Sequence, residues 1–102
     1  MAKVKVLGKT WIVQVRSEKS LQKEYPDCHA IALLEERKIL VRRTSLNETV
    51  LIHELIHSYS HTLSFVELEL DDDQLEEAYC ELFAKYGEQI IKDAKELCQK
   101  LT

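Results

Sequence analysis

Two histidines four positions apart, His53 and His57, are the residues of this chain with the clearest capacity for chemistry. In an α-helix such residues share one face and lie about 6 Å apart along the axis. Both imidazoles can then bind one zinc ion at about 2.0–2.1 Å. Glu54, beside the first histidine, can take a proton from a water at the metal without being a ligand. This H-E-x-x-H pattern therefore predicts zinc-dependent hydrolysis, with His53 and His57 as metal ligands and Glu54 as the catalytic base.

A third protein ligand must come from another part of the chain. At 100° per residue, the apolar side chains after Asp73 form one stripe, and Glu76 lies at its flank. A carboxylate on that side is costly unless it is paired or bound to a metal, so Glu76 is the predicted third ligand. Glu77 is an alternative if the helix begins with a different phase. His61 is another, although on a continuous helix it lies about 12 Å from His53.

The first half of the chain contains the segments that favour strands. Dense apolar and β-branched residues predict strands at 11–15, 30–34 and 38–42. Between the first two, residues 17–24 are polar and predict a short helix that ends before a turn at Pro26. We therefore expect a small antiparallel β-sheet of about three strands.

The second half changes to helical spacing. Ser45 and Glu48 match a capping box, which predicts a helix from about Leu46 to about Tyr59 that carries both histidines. Residues 66–70 alternate between apolar and acidic types, which is typical of a short strand or an extended linker. Three aspartates then precede a long helix predicted over 74–100. The expected fold class is α+β, in a single domain over residues 1–102.

Composition and charge narrow the classes of function. The 102 residues carry a net charge of −4, which disfavours nucleic acid as the main partner. No stretch approaches the roughly 20 apolar residues of a membrane span, so no membrane association is expected. The cysteines number three and lack a C-x-x-C pair. This pattern is typical of free thiols in a reducing cytoplasm.

The order of these features resembles a known group of enzymes. A small sheet, an H-E-x-x-H helix and a Glu on a following helix look like a gluzincin metallopeptidase. They are similar to the ImmA/IrrE-type minimal metallopeptidases, and more so to the very short H-E-x-x-H proteins of phages and prophages. The resemblance implies a zincin-like fold, one zinc ion, a cytoplasmic peptidase and a protein substrate such as a repressor. It also implies that an edge strand, here 38–43, holds the substrate extended.

The resemblance departs from the family pattern at the third ligand. In many ImmA-type sequences the ligand Glu precedes a Phe-Ala pair by four residues. Here that offset from Phe83 falls on Tyr79, which cannot supply a carboxylate. Glu76 therefore rests on the helical angle alone. The competing hypothesis is a zinc-binding protein without turnover, in which the metal stabilises a small domain that docks a protein partner.

Overall fold

The computed structural model describes residues 1–102 and combines one β-sheet with three α-helices. The α+β expectation is confirmed, as is the long C-terminal helix. The strands are β1 (Ala2–Val6), β2 (Lys9–Arg16), β3 (Ala30–Leu33) and β4 (Lys38–Arg42), and the helices are α1 (Glu18–Glu24), α2 (Glu48–Thr62) and α3 (Asp72–Leu101).

The sheet is mixed, which corrects the prediction of three antiparallel strands. Its order is β1-β2-β4-β3, with β2 and β4 parallel and both outer pairs antiparallel. The parallel pair arises because α1 takes the chain sideways past β4 to the far edge of the sheet, β3 runs back antiparallel, and β4 then inserts between β3 and β2. The additional strand is β1, in which buried Val4 and Val6 alternate with exposed Lys3 and Lys5.

Strand order also overturns the predicted substrate-binding edge at 38–43. Strand β4 lies inside the sheet, where β2 and β3 occupy both of its sides. The edges are β1 and β3. Of these two, β3 contacts helix α2 more extensively.

The main core lies between one face of the sheet and the two long helices. Fourteen buried residues form a single cluster there. The sheet contributes Trp11, Val13 and Ile39, which are fully buried, and α2 contributes Leu51 and Leu55. Helix α1 packs on the opposite face, where Leu21 and Leu40 are buried. The sheet is therefore covered by helices on both faces, and α2 is fixed by the larger core.

The helix ends differ from the sequence prediction in one respect. The N-cap of α2 is Asn47, whose side chain accepts from the Val50 N–H at 2.9 Å, so the predicted capping box at Ser45 is wrong. Ser45 instead ends a 3₁₀ turn. The capping box occurs on α3, between Asp71 and Gln74.

Two further expectations concern the second half. Residues 66–69 form turns rather than the short strand or extended linker expected over 66–70. The long helix predicted over 74–100 is continuous from Asp72 to Leu101. None of the three helices combines the length and the apolar character that crossing a bilayer would require.

Candidate metal centre

Helix α2 presents its two histidines because of the way it packs. Leu51, Leu55 and Tyr59 recur every four residues and are buried against the core. His53 and His57 share the opposite face, since they lie roughly 160–200° away around the helix. Both imidazoles are exposed. The helix therefore holds two rigidly placed nitrogen donors at the protein surface.

The two imidazoles lie within hydrogen-bond distance of each other. Their Nε2 atoms lie 3.1 Å apart, and the rings meet edge to face with centroids 4.8 Å apart. Two nitrogens bound to one tetrahedral zinc at 2.0–2.1 Å would be about 3.3–3.4 Å apart. The observed spacing is within a few tenths of an ångström of that value. The pair therefore fits two adjacent ligands of such an ion.

Glu54 lies beside the pair but is buried, with only 6% of its surface exposed. The pKa of its carboxyl group is raised above the ordinary value, because burial disfavours the charged form. The nearby imidazoles of His57 and His53 act in the opposite direction but do not cancel this effect. A carboxylate in this position is a stronger base than one in water, because its charged form is less well solvated. The arrangement is suited to accepting a proton next to the two histidines.

An open cleft of about 390 Å³ adjoins His53 and Glu54. The turn before β3 forms its other wall, with Asp27, Cys28 and His29. The Nδ1 atom of His29 lies 3.2 Å from Ser45 Oγ. The cleft therefore places a third histidine beside the H-E-x-x-H segment.

Sequence reasoning assigned no chemistry to His29. Its position follows from long-range contacts with Ser45 and with the Arg42 N–H, which local sequence spacing does not predict. The Pro26-Asp27 turn was the only sequence feature near it.

The structure does not gather a third ligand around the histidine pair. No three His, Cys, Asp or Glu side chains are grouped closely enough to hold a metal ion. Glu76 is exposed and lines a separate apolar groove with Ile56 and Tyr79. Glu77 lines another groove, and His61 lies in a third cavity next to Trp11. Of the three predicted ligands, the structure therefore brings His53 and His57 together and leaves Glu76 apart from them.

Comparison of the chain with protein-family models, curated proteins and solved structures finds no match. Assignment of a function therefore depends on the site itself.

Proposed function

We propose that this protein is a zinc-dependent peptidase that hydrolyses peptide bonds in a protein partner. The observation that supports this most is the convergence of the His53 and His57 Nε2 atoms, 3.1 Å apart on one exposed helix face. The buried carboxyl group of Glu54 next to them supplies the base that such a reaction needs. We propose Glu76 as the third ligand, which requires its side chain to leave the groove beside Ile56.

Zinc bound there would supply a Lewis acid that polarises the scissile carbonyl and lowers the pKa of a water molecule. The chain's own contribution is the placement of donors and of the base. His53 and His57 are fixed because their helix is anchored through Leu51 and Leu55. Glu54 takes the proton of the attacking water and passes it to the leaving amine. Burial of Glu54 aids the first step because it raises the carboxylate's proton affinity.

The free edge of β3 is the surface that we assign to the substrate. The strand pairs only with β4, so its other side is open to an extended peptide. Ala30, its first residue, lines the same cleft as His53 and Glu54. A peptide added to this edge would therefore run past the base. This assignment replaces the interior strand 38–42.

Zinc stoichiometry tests the metal centre. Protein purified without a metal-binding tag should carry one zinc in native mass spectrometry, and His57→Ala should carry none. Glu76→Ala should weaken zinc binding at least tenfold, whereas its neighbour Glu77→Ala should leave the affinity within twofold. Absence of zinc in the wild type after zinc is added would overturn the proposal. Equal losses in both glutamate variants would remove Glu76 from the ligand set.

A second function is favoured by the open position of the histidines and by the absence of a third ligand beside them. In this alternative, zinc stabilises a docking domain that performs no hydrolysis. Zinc addition should then raise the melting temperature, while no protein substrate is cleaved. Binding of a partner would also be unaffected by Glu54→Gln.

A further inference from the structure

We propose that a groove at the turn from α2 into α3 is a docking site for an apolar, basic segment of another protein. This corner groove lies between residues 63–70 and the first half of α3 and has a volume of about 480 Å³. Such a volume is within the range of about 300–1,000 Å³ that is typical of binding clefts. Its walls are mainly apolar, with Leu63, Phe65, Leu68 and Leu70 on one side and Ala78 and Leu82 on the other.

The corner groove is formed by a folded segment. Main-chain hydrogen bonds hold residues 63–70, including Phe65 N–H to Ser60 O at 3.1 Å and Leu68 N–H to Ser64 O at 3.2 Å. The Phe65 ring stacks edge to face on Tyr79 with centroids 5.2 Å apart. These contacts fix the apolar wall before any partner binds, which lowers the entropic cost of docking.

This conformation leaves apolar side chains in water. Leu68 is 59% exposed although it lines the groove, and Val66 is 86% exposed on the same segment. Ser64 and Glu69 adopt left-handed backbone angles, with φ of 60° and 50°. Each such angle costs about 1–2 kcal/mol for residues other than glycine. The segment that forms this wall therefore carries both backbone strain and apolar exposure.

The rim of the corner groove is acidic on balance, with Glu77 and Glu81 against one lysine, Lys85. Residues 67–81 contain eight Asp and Glu and no Lys or Arg. Glu77 and Glu81 line the groove itself, and the first basic residue after them, Lys85, lies at its end over the Tyr86 ring. No salt bridge of the structure neutralises these acids, since the one present joins Arg16 and Glu24. An apolar floor with an acidic rim is complementary to apolar anchors flanked by Lys or Arg.

Strand β1 of a second copy fits the corner groove poorly. It carries Lys3 and Lys5, but the apolar Val4 and Val6 between and after them are buried in the core. That strand would offer charge without exposed anchors. The acidic rim would repel nucleic acid. We therefore assign the site to an amphipathic, basic segment of a different protein, independently of whether the histidines bind zinc.

A labelled peptide tests the assignment. The probe is a 15-residue peptide of leucine and lysine, with leucines at helical spacing, measured by fluorescence anisotropy in EDTA at low and moderate salt. It should bind saturably with one site. Leu68→Ser and Glu81→Lys should each weaken binding about tenfold. Val66→Ser, on the same segment but outside the groove, should change it less than twofold, as should Glu96→Lys near the other end of α3.

Several outcomes would overturn the assignment. Equal losses in Glu81→Lys and Glu96→Lys would indicate attraction to net charge rather than to the groove. Equal binding of a peptide with serines in place of leucines would remove the apolar anchors. Self-association that is detected by sedimentation and abolished by Leu68→Ser would make a second copy the occupant. Circular dichroism of each variant separates loss of binding from loss of folding, and failure of zinc binding would not affect any of these readouts.

Discussion

Helix α2 and the segment that follows it, residues 63–70, both depart from the rule that apolar side chains are buried and charged ones exposed, but in opposite ways. Helix α2 buries a carboxyl group, that of Glu54, while exposing two imidazoles. Residues 63–70 instead expose Val66 and Leu68. Both departures cost free energy, because a buried charge loses hydration and an exposed apolar side chain orders water. Departures of this kind concentrate where function overrides stability.

The two regions also differ in what holds them. Helix α2 is anchored by fully buried Leu51 and Leu55, so its surface groups are held by the main core. Residues 63–70 are held by main-chain hydrogen bonds between residues close in sequence and by one aromatic contact. A rigidly held helix suits chemistry in which the reacting groups must be placed to within a few tenths of an ångström. A segment fixed by its own local contacts suits docking, because its apolar wall is formed before a partner binds.

The largest expected effect separates chemistry from binding at α2. Glu54→Gln should lower hydrolysis of a fluorescently labelled, unfolded casein at least 100-fold, because a general base contributes about 10²–10⁴ in rate. The zinc content should remain at one per chain, since Glu54 is not a proposed ligand. Glu96→Gln, far along α3, is the matched control and should retain full activity. Unchanged cleavage in Glu54→Gln would exclude Glu54 as the base.

The next prediction concerns the anchoring of α2. Leu55→Ala should lower the free energy of unfolding by about 2–5 kcal/mol, because it opens a cavity in a fully buried position. Urea denaturation followed by circular dichroism measures this. A loss under 1 kcal/mol would contradict the view that the core holds the histidine face.

Glu54 should also make stability depend on pH in the metal-free protein. Burial raises its pKa in the folded state, so between the unfolded and the folded pKa the native state binds more protons. The free energy of unfolding therefore falls as pH rises through that interval, which begins near the ordinary value of 4.5. Glu54→Gln removes this loss.

Thermal unfolding in EDTA measures the difference. The Glu54→Gln variant should be more stable than the wild type at pH 7, and the gain should vanish below pH about 4. Glu96→Gln at an exposed position should show no such crossover. A gain of equal size at both pH values would indicate a packing effect instead of a titration.

The smallest effect is expected at the corner. Leu68→Ala should change the free energy of unfolding by less than about 0.5 kcal/mol, because most of its side chain is already in water. The same urea titration measures it beside Leu55→Ala. A destabilisation near 2 kcal/mol would show that Leu68 supports the fold, and the contrast between the two regions would be lost.

Local patterns predicted the helices well. The polar segment after Ser17 forms α1, which that serine caps, and the aspartates before Gln74 do begin α3. Strand β1 was missed although Val4 and Val6 alternate with lysines, a period of two that is visible in the sequence. The parallel pairing of β2 with β4 was not predictable locally, because it depends on β4 inserting between β2 and β3 after α1 has displaced the chain to the edge of the sheet.

The candidate site divides in the same way. Helical spacing alone places His53, His57 and Glu54 on one side of α2. The helical wheel offered Glu77 as an alternative ligand, whereas in the structure it is exposed and lines the groove that residues 63–70 form with α3. It also put Glu76 at the inner flank, whereas the structure exposes that residue. The angular positions of residues on one helix do not predict where the neighbouring elements pack against it.

The mixed sheet has a consequence for the order of folding. Its outer pairs, β1 with β2 and β3 with β4, are hairpins between segments close in sequence. The central pair joins Ile12 to Lys38, which lie 26 positions apart in the sequence. Closing that interval costs chain entropy before its contacts are gained. We therefore expect the two hairpins to form early and independently. Pairing of β2 with β4 should be the later step that joins them into one cooperative folding unit.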